Sequence, residues 1–520
     1  MRRRYQILIP FLLALVLSDG MLIGVKLKGT YYVNSMPPDE KIGNLLSIIR
    51  QEYVEEVELE SVTESGIEAM LKKLDPFSSY IPADQLALAN EALEGNFEGI
   101  GIEYSIIRDT LTVISAIPGG PSELAGIKPG EQIIEVNNEP ISGVSLNNER
   151  VFELLRGEKG SEVTLTLLNL QGEKRSVVIA RDEVPIYSIP ASYMINDSIG
   201  YIKLIRFSGT SHDEFLEHFS KLKNEGAKHL MLDLRSNPGG FLEAAIKLSD
   251  EFLSSDLNIV YTEGRARNKR VYNSSKKGNF EKGRLVLLLN DGSASASEIL
   301  GGAIQDNDRG VLVGRRTFGK GLVQEPFELS DHSLVRLTVA HYYTPSGRSL
   351  QKPYDGPDIH SDSMKFDSIE YKTKAGRIVY GGGGILPDFY VDEDSVTHSR
   401  LYLNVFRHRL IETFSIEYAA LNEERILNNY ESYEAFESSF GDTIKMLKQI
   451  DQFVGSRGVD PIPEYSIAEK KELISIIKMY MARYIWGDAA YYYISNNSDS
   501  IYTRGVKVIS SSLYEKELGL

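Results

Sequence analysis

The sequence predicts an α/β core with a mixed, largely parallel sheet and helices, together with a β-rich domain and helical regions at both ends. Between residues 182 and 395, apolar strand-like runs alternate with amphipathic helical segments, which is the rhythm of βαβ units. Residues 93–181 carry short strand-like runs separated by glycine turns. Residues 36–92 and 396–520 show helical periodicity instead.

Composition excludes several classes of function. A chain of 520 residues with 42% apolar and 25% charged residues is typical of a globular protein with several domains. The net charge of −16 argues against a nucleic-acid partner, because binding phosphates requires a surplus of Lys and Arg. The chain has no cysteine, which rules out disulfides, thiolate metal sites and cysteine nucleophiles. We expect neither a metal nor a cofactor.

The first 27 residues predict export. MRRRYQ is a basic segment, and ILIPFLLALVL (7–17) is an apolar run of signal-peptide length. Residues 7–25 are also long enough to span a bilayer, although Asp19 interrupts them. A cleaved signal peptide and an uncleaved membrane anchor both stay open, and we favour the anchor because no A-x-A cleavage site follows. Either alternative predicts an extracytoplasmic protein, in the periplasm or cell envelope.

The region 36–92 reads as short amphipathic helices without chemistry. PPDEKIGNLLSIIRQEYVEE places its apolar side chains on one face. These side chains are Ile42, Leu45, Leu46, Ile49 and Tyr53. A second segment, TESGIEAMLKKL, ends at Asp75–Pro76, since the residue before a proline is disfavoured in a helix. The predicted role is packing or the formation of a homodimer.

The β-rich domain (93–181) resembles a PDZ domain. Its strand-like runs are GIGIEYSII, TLTVISAI, EQIIEVNNEPI and SEVTLTLLN, with PGGPSELAGIKPG between the second and third and a helical segment, VSLNNERVFELLRG. PDZ domains bind a C-terminal peptide as an added strand and hold its carboxylate in a nest of backbone N–H groups. The resemblance assigns that peptide-binding loop to Gly99, Ile100, Gly101 and Ile102. The alternative is a small β-rich domain without a ligand.

In the core (182–395), the segment NDGSASASEILGGAIQD (290–306) follows a solid apolar run, RLVLLLN, and predicts a strand, a turn and a helix. Ser293, Ser295 and Ser297 lie near the helix start, where backbone N–H groups point outward unpaired. Ser295 and Glu298 also match a capping box, so a capping role for Ser295 competes with a chemical one.

Lys320 lies in GRRTFGKG, which nearly matches the phosphate-binding loop G-x-x-x-x-G-K-[ST]. Gly321 stands where that loop needs a hydroxyl, and LVQEPFEL continues as a strand rather than a helix, so we reject a nucleotide site. An S-x-x-K match, Ser220 to Lys223, lies on an amphipathic helix without partner motifs and is also rejected. No G-x-S-x-G elbow occurs, and among the histidines His341 alone stays as an alternative contributor.

The motifs SASASEI, TFGKGLVQ, LDLRSNPGG, YYTPSGRSLQ and GGGGILPD resemble those of the carboxyl-terminal processing peptidases, the tail-specific proteases of family S41. The resemblance covers residues 40 to about 395, including LDPFSSYIP, and leaves the C-terminal helical extension (396–520) unassigned. It implies a Ser–Lys dyad, with Ser295 as nucleophile, Lys320 as general base and Gln324 holding the lysine. Glu298 and Asp306 match supporting acidic positions.

The chemistry of such a dyad needs a neutral lysine and an oxyanion hole. A free lysine has a pKa of about 10.4, and burial away from water lowers it, so that a neutral amine can accept the serine proton. We expect Glu298 to face backbone N–H groups, away from the amine. The expected oxyanion donors are the N–H of Ala296 and one from the turn at Gly239 and Gly240, where the resemblance favours Gly240. A turn without a chemical role is the alternative.

The resemblance implies a serine endopeptidase that binds apolar C-termini of extracytoplasmic proteins through its PDZ domain and cleaves these proteins. A non-enzymatic PDZ adaptor on an inactive scaffold is the alternative. Arg156, in LLRGEKGS, is a candidate relay between bound peptide and active site, or else a solvated arginine at a helix end.

Overall fold

The computed structural model describes residues 10–23, 36–107, 109–143, 145–169, 171–275, 278–353, 369–393, 409–441, 443–459 and 466–519. The chain divides into two compact units, Met1–Tyr80 and Ile81–Leu520.

The N-terminal unit is helical, as predicted. It contains a helix over residues 10–23, α1 (Pro38–Glu52) and α2 (Leu59–Lys72), which ends shortly before Asp75–Pro76. The strand β1 (Ser79–Ile81) lies at its boundary. No residue of α1 is buried, and the predicted apolar face stays exposed to 44% at Ile42 and 56% at Leu45. Among the helices in the described residues, none is long and apolar enough to cross a membrane; part of the predicted 7–25 segment lies outside those residues.

The second unit opens with helix α3 and the β-rich domain. The strands and helices are α3 (Leu86–Glu94), β2 (Asn96–Gly99), β3 (Ile102–Ile107), β4 (Thr110–Ala116), α4 (Pro121–Leu124), β5 (Gln132–Val136), β6 (Glu139–Pro140), α5 (Asn148–Leu155), β7 (Glu162–Leu168), β8 (Lys174–Ala180) and β9 (Asp182–Pro185). An antiparallel sheet runs in the order β3-β4-β5-β7-β8, and β6 pairs with β5. The pair β2–β9 brings the two ends of the domain together.

The core contains a six-stranded sheet with the order β10-β11-β12-β15-β16-β21. Its elements are β10 (Ala191–Asn196), β11 (Ile199–Lys203), α6 (Ser211–Asn224), β12 (His229–Asp233), α7 (Leu242–Phe252), β15 (Leu285–Leu289), α8 (Ala296–Asp306), β16 (Val311–Gly314) and β21 (Phe389–Tyr390). All neighbouring pairs are parallel except β10 with β11, so the predicted mixed, largely parallel sheet is confirmed.

A second, antiparallel sheet completes the core. It contains β13 (Asn258–Gly264), β14 (Arg267–Asn273), β17 (Leu322–Glu328) and β18 (Leu334–Tyr343), and a short hairpin, β19 (Glu370–Lys372) with β20 (Ile378–Tyr380), follows. Strand β18 pairs with both β17 and β13. This sheet carries the segment that follows Lys320, including Gln324, and it also carries His341.

The C-terminal helical extension docks on the core. Its helices are α9 (Leu410–Asn429), α10 (Tyr433–Ser439), α11 (Thr443–Ser456), α12 (Ile467–Trp486), α13 (Asp488–Asn497), α14 (Ser500–Ile509) and α15 (Leu513–Leu518). Helices α9 to α13 share an apolar cluster of their own. Helices α14 and α15 contribute Ile501, Val508 and Leu518 to a cluster on the six-stranded sheet.

Strand β15 shows why the sheet needs covering on both faces. Leu285, Leu287 and Leu289 pack with α6, α7 and α8, whereas Val286 and Leu288 face the cluster that contains α14 and α15. Successive side chains of a strand point to opposite faces, so a strand covered on both sides is apolar throughout. The solid run RLVLLLN is therefore explained by two helical layers.

Candidate active site

Ser295 lies at a strained turn between β15 and α8. Its φ of 53° and ψ of −110° are unfavourable for a residue with a Cβ, and such strain is concentrated at functional sites. Ser293 and Ser297 are fully buried, and their hydroxyls donate to the carbonyls of Leu234 at 2.8 Å and Asn237 at 3.0 Å. Ser295 is partly exposed. Of the three serines, it is therefore the one that a substrate can reach.

Ser295 and Glu298 take the positions of a capping box, as their spacing predicted. The bond on the glutamate side is formed, because the Ser295 N–H donates to Glu298 Oε2 at 2.8 Å. The Glu298 N–H donates to the Ser295 carbonyl at 2.8 Å. The Ser295 side chain also takes its capping-box position facing the Glu298 N–H, although this contact falls short of a side-chain capping hydrogen bond. The capping role of Ser295 therefore still competes with a chemical one.

The carboxylate of Glu298 joins the segments of Ser295 and Lys320. Its Oε2 accepts the N–H of Ser295 and, at 2.9 Å, the N–H of Lys320. Its Oε1 accepts the Gly319 N–H at 2.8 Å and the Thr317 hydroxyl at 2.6 Å. Burial raises the pKa of Glu298 to about 7, although these four hydrogen bonds act in the opposite direction. The Glu298 carboxylate therefore faces backbone N–H groups, as predicted.

Lys320 is partly buried, and its Nζ donates to Gln324 Oε1 at 3.0 Å. The pairing of β17 with β18 is irregular between Val323 and Gln324, and such a bulge re-aims a side chain. The flanking glycines allow a close approach: a Cβ on Gly319, whose φ is +91°, would lie 2.9 Å from Lys352 Cβ, and one on Gly321 would lie 2.8 Å from the Gln351 N atom. Neither glycine leads into a helix, in agreement with the rejection of a phosphate loop.

Tyr342 is a site residue that sequence reasoning missed. Its side chain is 1% exposed, and its hydroxyl donates to the carbonyl of Lys320 and lies 3.3 Å from the carbonyl oxygen of Ser295. The neighbouring His341 is exposed, because adjacent residues of a strand face opposite sides. Strand alternation predicts opposite faces for Tyr342 and His341, but it does not by itself predict that the Tyr342 hydroxyl meets the carbonyl of Lys320.

The glycine turn after β12 packs against the serine. A Cβ on Gly239, whose φ is +99°, would lie 2.9 Å from both Ser295 Cβ and the Ala296 N atom, and one on Gly240 would lie 2.0 Å from the Phe207 carbonyl oxygen. The Gly239 N–H is engaged, since it donates to an Asn237 side chain at 2.9 Å. Within the described part of the chain, no hydrogen bond uses the N–H of Gly240 or Ala296. Both N–H groups named from the sequence are therefore available as donors.

Asp306 does not lie beside the dyad. It is the last residue of α8, at the opposite end from Ser295, and an 11-residue helix is about 15 Å long. Its carboxylate pairs with Arg348 at 2.7 Å, with both side chains fully buried, and it accepts the Ser346 hydroxyl at 2.7 Å. Asp306 therefore holds the YYTPSGR segment in place.

Among the described residues, no cluster of His, Asp and Glu suits a metal ion.

A groove of about 520 Å³ lies beside β3 in the β-rich domain. It is lined by three residues of the predicted carboxylate-binding loop, Ile100, Gly101 and Ile102, and by Val151 and Leu155 of α5. The fourth predicted residue, Gly99, forms a backbone bridge with Arg156 instead. In the described sheet, β3 pairs with β4 along one edge only, which leaves the edge towards the groove for an added strand.

Arg156 is at the C-terminal end of α5 and lines the groove. It forms an ion pair with Glu91 of α3, and its guanidinium lies 4.9 Å from the ring centre of Phe97 and 4.6 Å from that of Phe152. Its side chain is 25% exposed. Arg156 is therefore a paired and partly buried helix-end arginine rather than a fully solvated one.

Comparison with known families agrees with this architecture. Residues 198–361 match the model of peptidase family S41, and residues 112–169 match a PDZ domain. Residues 26–85 match the N-terminal domain of the activating protease CtpB, and residues 401–487 match a family of unknown function.

Curated relatives are similar over most of their own length. The carboxy-terminal processing protease CtpA of Bacillus subtilis is 34% identical over 333 residues, which are 64% of this chain and 71% of the relative. The carboxy-terminal-processing protease of Bartonella bacilliformis is 35% identical over 325 residues, 61% of this chain and 74% of the relative. The solved photosystem II D1 C-terminal processing protease is 28% identical, with 66% of this chain and 85% of that one covered and a TM-score of 0.36.

The fold and the family matches define a peptidase of family S41 that carries a PDZ domain. The chain belongs to the carboxy-terminal processing proteases.

Proposed function

We propose that the protein is a serine endopeptidase in which Ser295 is the nucleophile and Lys320 the general base. The observation that carries the proposal is the arrangement around Glu298, whose Oε2 accepts the backbone N–H of both residues. Gln324 holds the amine of Lys320, and Tyr342 binds the backbone carbonyl of the same lysine. Glu298 and Tyr342 each contact the backbone of both Ser295 and Lys320, and these shared contacts hold the two segments next to one another.

In the proposed reaction, Ser295 Oγ attacks the carbonyl carbon of the scissile peptide and its proton passes to the neutral Nζ of Lys320. The negative charge that develops on the carbonyl oxygen is stabilised by the N–H groups of Gly240 and Ala296. Collapse of the intermediate breaks the C–N bond, and Nζ returns the proton to the leaving amine. Water then hydrolyses the acyl ester, with Nζ again accepting a proton, and the free enzyme is restored.

We also propose that the PDZ domain selects substrates with apolar C-termini. The groove walls are aliphatic at Ile100, Ile102, Val151 and Leu155 and would bury an apolar terminal side chain. The loop that contains Gly101, whose φ is +75°, would offer its N–H groups to the terminal carboxylate. The peptide would continue as a strand along β3.

Arg156 is proposed as the link between bound peptide and protease activity. It lines the groove and also binds Glu91 of α3, outside the PDZ sheet. An activating peptide should stimulate the wild type and not Arg156→Ala. Arg150→Ala, on the same helix but with a side chain that is 45% exposed, is the matched control and should keep the response. Equal stimulation of both variants contradicts the relay.

The N-terminal segment (1–27) is proposed to export the protein, and to anchor it if it stays uncleaved. The exposed apolar face of α1 is the proposed dimerisation surface. Fractionation of cells that express the full chain tests the location, and sedimentation of Ile42→Glu against the wild type tests the dimer.

The experiment that tests the activity compares two forms of one test protein, with an apolar or a charged C-terminal tail. The wild type should cleave the apolar-tailed form faster, and Ser295→Ala and Lys320→Ala should cleave neither. Ser220→Ala and Lys223→Ala are matched controls, because both residues are exposed on α6, and they should retain full activity. Full activity of either dyad variant refutes the proposal. Tail binding without any cleavage by the wild type would favour the adaptor.

A further inference from the structure

A buried group of charges connects the glycine turn to the C-terminal helical extension. Lys203 and Asp233 are the last residues of β11 and β12 and pair with each other in the parallel register. Arg235 follows Asp233 by two positions and precedes the glycine turn that packs against the serine. Asp233 is fully buried, and the side chain of Arg235 is 12% exposed.

The guanidinium of Arg235 is held from two sides. On the sheet side, its Nε donates to both carboxylate oxygens of Asp233, at 2.9 and 3.0 Å. On the side of the extension, its Nη2 donates to Asn496 Oδ1 of α13 at 2.6 Å, and its Nη1 lies 2.5 Å from Asp499 Oδ1, just before α14. A planar fork of this kind suits several fixed acceptors at once.

The backbone of Arg235 is fixed as well. Its N–H donates to Asp233 Oδ1 at 2.9 Å, and its carbonyl accepts from Lys203 Nζ at 2.5 Å. The next residue, Ser236, has a φ of +57° and donates its N–H to the side chain of Asn290 at 2.7 Å. The backbone of Arg235 is therefore hydrogen-bonded at both its N–H and its carbonyl, and the chain continues from it into the strained Ser236.

The three residues between Arg235 and Gly239 leave little freedom. Asn237 donates its side-chain N–H to the Leu204 carbonyl at 3.0 Å and accepts the Gly239 N–H with its amide oxygen. Pro238 has a fixed φ. A displacement of Arg235 is therefore transmitted to the turn, because no flexible residue absorbs it.

The charges of the group balance one another. Burial opposes the charge of Asp233, but the positive charges of Arg235 and Lys203 prevail and lower the pKa of Asp233 well below its usual value. Burial lowers the pKa of Lys203. The remaining partner, Asp499, supplies the second negative charge from the extension. Removing the charge of Asp499 weakens the contact that holds the guanidinium of Arg235 on the side of the extension.

We propose that Arg235 is a positioning residue, and that Asn496 and Asp499 hold it so that the Gly240 N–H points at the oxyanion of the reaction proposed above. The inference rests on that proposed function. It gives the C-terminal helical extension a part in turnover in addition to covering the sheet.

The test uses the full-length protein with substitutions at Asp499 and Asn496. Asp499→Asn removes the charge but keeps an acceptor for the Tyr502 N–H, so that α14 retains its cap. Asn496→Ala removes the other anchor, and Asn496→Asp keeps an acceptor for Arg235. Glu515→Gln is the matched control, because Glu515 also links the extension to the core, through Arg284 at 2.7 Å, but at the opposite end of β15.

Each variant is assayed for kcat and KM on a peptide with an apolar C-terminus, for binding of a peptide aldehyde and for thermal midpoint. The aldehyde forms an adduct whose oxyanion occupies the same hole as the transition state. We expect the Asn496→Ala/Asp499→Asn variant to lose about tenfold in kcat and in aldehyde affinity with KM within twofold, a fraction of the loss for removing one donor. Asn496→Asp and Glu515→Gln should keep kcat.

Three results overturn the inference, and they are distinguishable. If Ser295→Ala abolishes cleavage but the double variant keeps wild-type kcat and aldehyde affinity, Arg235 is structural only and the proposed function stands. If cleavage survives Ser295→Ala, the proposed function fails and the positioning role fails with it. A loss of kcat in Glu515→Gln equal to that in the double variant also overturns the inference, because general loosening then explains both.

Discussion

Replacing Glu298 by Gln should lower both the free energy of unfolding and kcat, because the substitution keeps the size of the side chain but changes its charge and its hydrogen bonds. The substitution turns one carboxylate oxygen into an NH₂ donor in a site where four donors converge, so two hydrogen bonds are lost. An unsatisfied buried donor costs about 1–3 kcal/mol, so the loss is about 2–6 kcal/mol against a total stability of about 5–15 kcal/mol. The segments of Ser295 and Lys320 also lose their common acceptor, and displacements of about 1 Å reduce turnover about 100-fold.

The contribution of Glu298 to the free energy of unfolding should depend on pH, and the raised pKa fixes the direction. The pKa of Glu298 is raised by burial from its usual value near 4.5 to about 7. Between these values the folded state holds a proton that the unfolded state has released, so this group's contribution to stability is full below pH 4.5 and is lost as pH rises through 7. The change is about 3 kcal/mol, at 1.36 kcal/mol for each unit of pKa. Glu298→Gln cannot titrate and lacks this dependence.

The assay is urea unfolding of both proteins at several pH values, alongside kcat at each pH. The free energy of unfolding of Glu298→Gln should fall furthest below that of the wild type near pH 4.5, and this difference should narrow by about 3 kcal/mol by pH 7. Glu243→Gln is the control, because Glu243 is 79% exposed on α7, and its deficit should be near zero throughout. A deficit of Glu298→Gln that does not vary with pH, with kcat as in the wild type, would refute the reasoning.

Three further predictions concern other contacts of the site. Tyr342→Phe should cost about 0.5–1.5 kcal/mol in urea unfolding and lower kcat, because it loses the hydrogen bond from the hydroxyl to the carbonyl of Lys320. Tyr343→Phe, on the opposite face of β18, is the control and should leave kcat unchanged. Gly239→Ala should abolish cleavage because its Cβ would lie 2.7 Å from a backbone oxygen, whereas Gly376→Ala, with a similar φ of +91° and open space, should cost only about 1 kcal/mol and keep kcat. Asp306→Ala should cost about 3–5 kcal/mol in thermal or urea unfolding, because the buried guanidinium of Arg348 loses its only ion-pair partner among the described residues. KM of the folded protein should stay as in the wild type, and normal stability would contradict this prediction.

The sequence was most informative where chemistry restricts residue type. The solid run RLVLLLN, the turn at Asp291–Gly292 and the small residues that follow allow few structures other than a strand, a tight turn and a helix. Glycines at 239, 240, 319 and 321 mark close approaches that a Cβ would block. Such positions can be predicted locally, because their constraint lies in the backbone of a few neighbouring residues.

Contacts that depend on tertiary pairing could not be found in the same way. Tyr342 looks like any aromatic residue of an apolar strand until the pairing of β18 with β17 brings its hydroxyl to the carbonyl of Lys320. Similarly, the pattern S-x-x-E identified Glu298 as a capping residue, but its bonds to Gly319 and Lys320 arise only when the turn after β16 folds back. Local sequence carries no information on which distant N–H will meet a buried carboxylate.

The C-terminal helical extension shows how a prediction could have gone further. The residues of β15 are apolar on both faces, and a sheet covered by α6 to α8 on one face requires a second layer on the other. The extension (396–520) is the longest helical stretch outside the core, which makes it the first candidate for that layer. The structure places α14 and α15 there.

The same reasoning extends to function. The helices that cover the outer face of β12 also reach Arg235 at the carboxyl end of that strand, where the turn of the proposed oxyanion hole begins. Because the sheet needs this layer to bury Met231 and Leu288, a truncation of the extension would unfold the core and conceal any effect on turnover. Only point substitutions at Asn496 and Asp499, which leave the apolar layer intact, can therefore separate its two roles.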